Sequence, residues 1–106
     1  MTRIYTGAYT RRVFEWYPEK SRANAEERQI PFSAVPAVFE GPLLARRDER
    51  HDYGEARWVA VGLLGHVPVV IVYTKRGHRI RIISARRANR RERARFQARI
   101  LAPRGR

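Results

Sequence analysis

From Arg57 onward, runs of β-branched and aromatic residues are separated by short polar turns, the pattern of an antiparallel meander. Arg57 to Gly62 and Val67 to Thr74 meet at Gly65-His66 as a hairpin, and Lys75-Arg76-Gly77-His78 turns the chain into a third strand, Arg79 to Ser84. Pro68 falls near a strand start, where its missing donor is tolerated. In Arg79-Ile80-Arg81-Ile82-Ile83-Ser84 the alternation sends Ile80 and Ile82 to one side of the pleat and Arg79, Arg81 and Ile83 to the other. One face is suited to burial and the other to anions.

Helical spacing brackets this meander. Asn89-Arg90-Arg91-Glu92 has a capping-box arrangement and predicts a helix from Arg90 to about Leu101, with Phe96, Ile100 and the stem of Arg93 on one face. Near the start, Val13 to Trp16 reads as a short strand or anchoring segment. Tyr17-Pro18 ends it and opens a polar helix, Glu19 to Arg28, which Ile30-Pro31 breaks. Ser33 is placed to cap a second short helix to about Phe39, with Val35, Val38 and Phe39 on its apolar side and Gly41-Pro42 after it. Leu43 to Ala45 is a candidate short strand and Arg46 to Glu55 an exposed polar loop. The pattern predicts a compact α+β fold: two short N-terminal helices, an antiparallel sheet of three to four strands, and a C-terminal helix. The chain is expected to be a single domain, 1-106, with 1-12 and 103-106 loosely ordered.

Charge changes the picture. Residues 75 to 106 hold 13 basic residues and 1 acidic, whereas residues 1 to 74 hold 10 basic and 9 acidic, so the positive field is local to the C-terminal third. Of the 23 basic residues 21 are Arg, which favours bidentate phosphate contacts and stacking on bases over plain solubilisation. A nucleic acid or a strongly acidic protein is the expected partner.

Several chemistries lose support. With no cysteine there is no disulfide, thiolate metal site or cysteine nucleophile. No P-loop, dinucleotide glycine fingerprint or nucleophile elbow is present, and His51, His66 and His78 have no partner at a metal-ligand spacing, so no metal or cofactor is expected. The N-terminus lacks an apolar signal core, and the longest apolar run, Val67 to Tyr73, is too short to cross a bilayer. A cytoplasmic protein with no membrane partner is expected. Arg57, Arg79, Arg81, Arg86 and Arg87 are the sharper candidates, because a fixed cluster of guanidinium groups stabilises the extra charge on a phosphorane while an RNA 2′-hydroxyl attacks its own phosphate. Trp16 and Trp58 suit core anchors more than base stacking.

Taken together, several segments resemble the BrnT family of ribonuclease toxins from bacterial type II toxin–antitoxin systems. They are Phe14-Glu15-Trp16 followed by Pro18 and Lys20, then Asn24, Phe32, Phe39 and Pro42, Arg50-His51, Gly54-Glu55 and Arg57-Trp58-Val59-Ala60-Val61-Gly62. Val72-Tyr73-Thr74 and the most specific segment, Arg81-Ile82-Ile83-Ser84-Ala85-Arg86-Arg87-Ala88 with Glu92-Arg93, complete them. The resemblance implies a RelE-like fold, metal-independent RNA cleavage, and neutralisation by a cognate antitoxin whose DNA-binding domain brings the complex to operator DNA. Three positions depart from the family pattern: Tyr17 stands where Trp-Asp-Pro is usual, Glu27-Arg28-Gln29 where Lys-His-Gly is usual, and Gly41 where an aspartate precedes Pro42. Replacing the Lys-His pair removes a histidine able to shuttle a proton, since arginine stays charged, and implies weakened catalysis.

The leading expectation is an endoribonuclease toxin in which Arg57 and Arg86 stabilise the scissile phosphate, Lys20 or His51 assists by charge or proton transfer, and Arg79, Arg81, Arg87, Arg90 and Arg91 hold the RNA. The alternative is a catalytically weakened homologue or RNA-binding module that binds an antitoxin or RNA without cleaving. A DNA-binding regulator is less favoured, because no helix-turn-helix pattern is visible.

Overall fold

In the computed structural model, residues 3–6, 12–50 and 54–101 are described. Six strands are present among them: β1 (Arg3–Thr6), β2 (Val13–Trp16), β3 (Leu44–Asp48), β4 (Arg57–Leu64), β5 (Val67–Arg76) and β6 (Arg79–Arg87). They form one sheet in the order β1-β2-β6-β5-β4-β3. The helices are α1 (Pro18–Arg28), α2 (Val35–Val38) and α3 (Arg90–Phe96). The α+β class, the β4–β5–β6 meander and the capped C-terminal helix agree with the sequence reading. No helix among the described residues is long and apolar enough to cross a membrane.

The sheet is larger than three to four strands, and it is mixed. β2 runs parallel to β6, pairing Val13 with Arg79, Phe14 with Ile80 and Glu15 with Arg81, while every other pairing is antiparallel. β3 occupies part of the expected loop Arg46 to Glu55, because Ala45, Arg46 and Arg47 lie along a sheet edge where polar side chains stay wet. The second helix is also shorter than expected. Phe32–Ala34 is a 3₁₀ turn and α2 a single α turn, and Ser33 does not cap it; the Phe32 N–H is instead satisfied by the Ser21 hydroxyl oxygen at 2.9 Å. α3 ends at Phe96, where the chain widens into a π turn over Gln97–Leu101. The expected fraying of 103-106 lies outside the described residues.

The two faces of the sheet carry separate cores. Phe14, Trp16, Ile71, Tyr73, Ile80 and Ile82 pack under α1 and α2 with Phe32, Val35, Val38 and Phe39. On the other face Val61, Val70 and Ala88 meet Phe96 of α3. An irregularity links these faces to the sequence: Val72 pairs with Ser84 but Tyr73 with Ile82, so Ile83 is an extra residue bulged out of β6. Beyond the bulge, Ala85 rather than Ser84 enters the first core, and Arg86 joins the face of Arg79 and Arg81.

α1 has almost no apolar face of its own, and its one buried residue is Asn24. The Asn24 amide donates to the carbonyls of Ile30 (2.7 Å) and Ala85 (2.9 Å), so one side chain ties the helix both to the chain that follows it and to β6. Just past the helix, Gln29 takes the left-handed conformation, φ 60°, and donates its backbone N–H to the Ala25 carbonyl. The glycine usual at this point in the resembling family is the residue that this conformation favours.

Two stability outcomes follow. Asn24→Ala leaves two buried carbonyls without donors and is expected to cost about 2–3 kcal/mol. Gln29→Gly relieves the left-handed strain and is expected to stabilise by about 0.5–1 kcal/mol. Urea unfolding of both variants checks the pair; Asn24→Ala as stable as wild type would mean that this tie does not hold α1.

Candidate functional site: a polar row across the basic face

On the α3 side of the sheet, five strands contribute neighbouring residues to one polar row. The registers place Glu15 beside Arg81, Arg81 beside Thr74, Thr74 beside Arg57, and Arg57 beside Asp48. Side chains directly opposite on adjacent strands stand about 5 Å apart, so the row spans β2, β6, β5, β4 and β3 as a continuous line. Of the four buried polar residues among those described, three belong to it: Glu15, Asp48 and Thr74. Acidic ends flank the cationic positions of Arg81 and Arg57, with the Thr74 side chain between them.

Glu15 organises one end. Its Oε2 accepts from Nε and Nη2 of Arg81 at 3.1 and 3.0 Å, while its Oε1 accepts from the same two nitrogens of Arg79. Burial alone would raise the Glu15 pKa, but the hydrogen bonds and charges of Arg79 and Arg81 outweigh it and hold the carboxyl below its ordinary value. Two guanidinium groups thus share one carboxylate, leaving a net positive charge with its geometry fixed from beneath. At the opposite end, the Asp48 carboxylate accepts from the backbone N–H of Arg50 at 3.2 Å and from its guanidinium at 3.0 and 3.1 Å.

Arg86 lies on the same face but two side-chain rows further along, opposite Val70. It forms a two-pronged pair with Glu92 at 2.9 and 2.8 Å, and Glu92 also accepts the Asn89 N–H in the capping box. The Arg86 hydrogen bonds lead in holding the Glu92 carboxyl down at about 2 against the opposing effect of burial, with help from the Asn89 N–H and the charges of Arg86 and Arg46. Sequence reading grouped Arg57, Arg79, Arg81, Arg86 and Arg87. The structure brings the first three together, sets Arg86 apart beside α3, and puts Arg87 opposite Val69, on the other face. Arg90 and Arg91 are exposed on the first turn of α3. His51 lies outside the described residues.

Lys20 is exposed on the first turn of α1, its ammonium 6.0 Å from the centre of the Tyr17 ring. The Arg81 guanidinium lies 5.4 Å from the same ring, so Tyr17, itself 40% exposed, connects Lys20 to the row. Sequence reading missed Glu15, Asp48, Thr74 and Tyr17 as site residues. The signal for Glu15 was its position as an acidic residue between Phe14 and Trp16, which places it with Val13 on the opposite face of β2. Among the described residues no group of three His, Asp or Glu side chains is placed to hold a metal ion.

A family model described as ribonuclease toxin, BrnT, of type II toxin-antitoxin system matches residues 16–92, most of the chain and all of the polar row except Glu15. No curated protein matches the chain.

The Arg86–Glu92 pair generates a pH prediction. A carboxyl lowered to about 2 on folding contributes stability that is complete above its unfolded value near 4.5 and is lost as pH falls through 4.5 toward 2. Wild type is expected to lose about 2 kcal/mol more than Glu92→Gln between pH 6 and pH 2.5, a figure reduced for the solvent contact of the pair. Glutamine keeps the capping geometry, so equal acid sensitivity of the two proteins in urea unfolding would remove this pair as the cause.

Proposed function

This chain belongs to the BrnT family of ribonuclease toxins of type II toxin–antitoxin systems, and from that premise we propose that it is an endoribonuclease that cleaves RNA on the basic sheet face and is neutralised by a cognate antitoxin. The observation that carries the proposal is the polar row, with Arg57 and Arg81 on either side of Thr74 and Arg79 beside them on the shared Glu15 carboxylate. A phosphate laid across this row meets guanidinium groups from two directions. The RelE-like arrangement that the resemblance implies is met at the level of its α+β class; the sheet itself is mixed and has six strands among the described residues.

In the proposed reaction the RNA supplies its own nucleophile. The 2′-oxygen bonds to phosphorus and the 5′-oxygen leaves, giving a 2′,3′-cyclic phosphate and a 5′-hydroxyl, with no need for a metal. Arg57 and Arg81 stabilise the charge that gathers on the non-bridging oxygens. One proton leaves the 2′-hydroxyl and one reaches the 5′-oxygen, through solvent or with help from Lys20 and His51. Glu15, Glu92 and Asp48 are engaged with arginines, and the Lys-His pair usual in the family is Glu27-Arg28 here, both exposed at the end of α1. Charge stabilisation therefore carries most of the catalysis and proton transfer little, which makes the proposed enzyme slow. Arg86, clamped by Glu92, together with Arg90 and Arg91, extends the positive surface along the flanking RNA; Arg87 belongs to the opposite face. The proposed antitoxin carries a DNA-binding domain, and operator DNA is reached only through it.

Cleavage of a single-stranded RNA by the purified chain tests the proposal. Arg57→Ala and Arg81→Ala are each expected to lower the rate about a hundredfold, the range for one lost transition-state donor, while Arg87→Ala changes it by less than about threefold. If Arg57→Ala and Arg81→Ala cut as fast as wild type, the row is not the phosphate site. If wild type binds RNA in a salt-dependent manner but never cleaves it, the chain is a binding module of the family.

A further inference from the structure

Beside the polar row, the same sheet face holds a cavity of about 360 Å³ between α3 and strands β3 and β4. Leu44, Val59 and Val61 form its apolar part, continuous with the second core, and Arg46, Arg95 and Arg99, all exposed, stand around it. Its volume falls within the range of about 300–1,000 Å³ typical of ligand pockets. β3 is the last strand of the sheet among the described residues, so the cavity also opens onto a strand edge.

We infer that this groove is the docking site for an apolar segment flanked by acidic side chains, contributed by the antitoxin; the inference rests on reading the chain as a toxin with a protein partner. The two halves of the lining specify the chemistry. Phosphates and riboses leave Leu44, Val59 and Val61 unmatched, whereas aliphatic or aromatic side chains bury them, so the floor selects protein over RNA. Three exposed guanidinium groups around that floor select carboxylates at its rim. The one carboxylate in the lining, Glu92, is paired with Arg86, and although Arg46 also feels its charge, three rim guanidinium groups leave the rim positive.

The position explains how such a partner would act. Val59 and Arg46 occupy the row next to Arg57 and Asp48, about 6–7 Å along the strands. A segment seated in the groove stands at the flank of the proposed RNA path and against the Arg86–Glu92 pair. It obstructs RNA without inserting a side chain between Arg57 and Arg81, and its binding determinants are separable from those of cleavage.

The test uses the full chain and its cognate antitoxin, titrated calorimetrically at fixed salt, with a single-stranded RNA oligonucleotide in parallel. Arg46→Glu and Arg99→Glu change exposed rim residues, and Arg22→Glu on the exposed side of α1 has the same effect on net charge. Relative to Arg22→Glu, each rim reversal is expected to weaken partner binding about tenfold or more while RNA affinity and cleavage change less than about threefold. Loss of RNA binding to the same extent as partner binding would make the groove an RNA track and overturn the inference. Unchanged partner binding in both rim variants, or no binding by wild type, overturns it as well. A wild-type chain that binds the partner through the rim arginines but never cleaves RNA supports the groove while removing the ribonuclease.

Discussion

Glu15 holds the edge of the basic face together. β2 meets β6 over only three register pairs, and at the last of these the Glu15 carboxylate takes Arg81 on one oxygen and the neighbouring Arg79 on the other. Without it, two guanidinium groups would stand side by side on one strand face with nothing between them, a repulsion that this partly buried position would intensify. With it, both arginines are held in defined positions and their combined charge with Glu15 stays positive. The same contact joins β2 to the meander. Stability at this edge and the chemistry of the surface are therefore one interaction.

The cost of this arrangement is visible in the rest of the row. A ribonuclease that works by charge alone needs its cations fixed but not fully neutralised. Here Asp48 is held by Arg50 and Glu15 by two arginines, so little carboxylate is left to take or give protons. Arg86 is anchored twice over, because Glu92 serves it and the capping box of α3 together. Disturbing that pair changes both the start of the helix and the lie of the guanidinium, which links the second core to the proposed RNA surface.

The sequence made some of this legible. The hairpin turns were clear because Gly65 and Gly77 have positive φ, which their neighbours would resist, and the capping box of α3 was clear because Asn89 and Glu92 sit three apart. β3 was half legible: Leu43 to Ala45 reads as a short strand, but an edge strand with one wet side has little alternation, so its continuation Arg46 to Asp48 looks like a loop. The parallel pairing of β2 depends on contacts between residues more than sixty positions apart, which local pattern does not encode. The grouping of the arginines departs from the structure at Arg87 for the same kind of reason. Strict alternation from Arg79 puts Arg81 and Arg87 on one face; the extra residue at Ile83 brings Arg86 there instead and turns Arg87 to the other.

That bulge lets one strand work in two phases. Before Ile83, odd-numbered residues of β6 face the basic surface; after it, even-numbered ones do. Deleting Ile83 would straighten β6 and leave every pairing in place: Ile82 would stay opposite Tyr73 and Ser84 opposite Val72, so Ala85 would remain in the first core and Arg86 beside Glu92. The bulge is therefore the one point in β6 where the strand can lose a residue without changing which side chains reach either face. A one-residue deletion elsewhere in the strand, with the bulge kept, would turn the residues beyond it to the opposite faces and present a different surface.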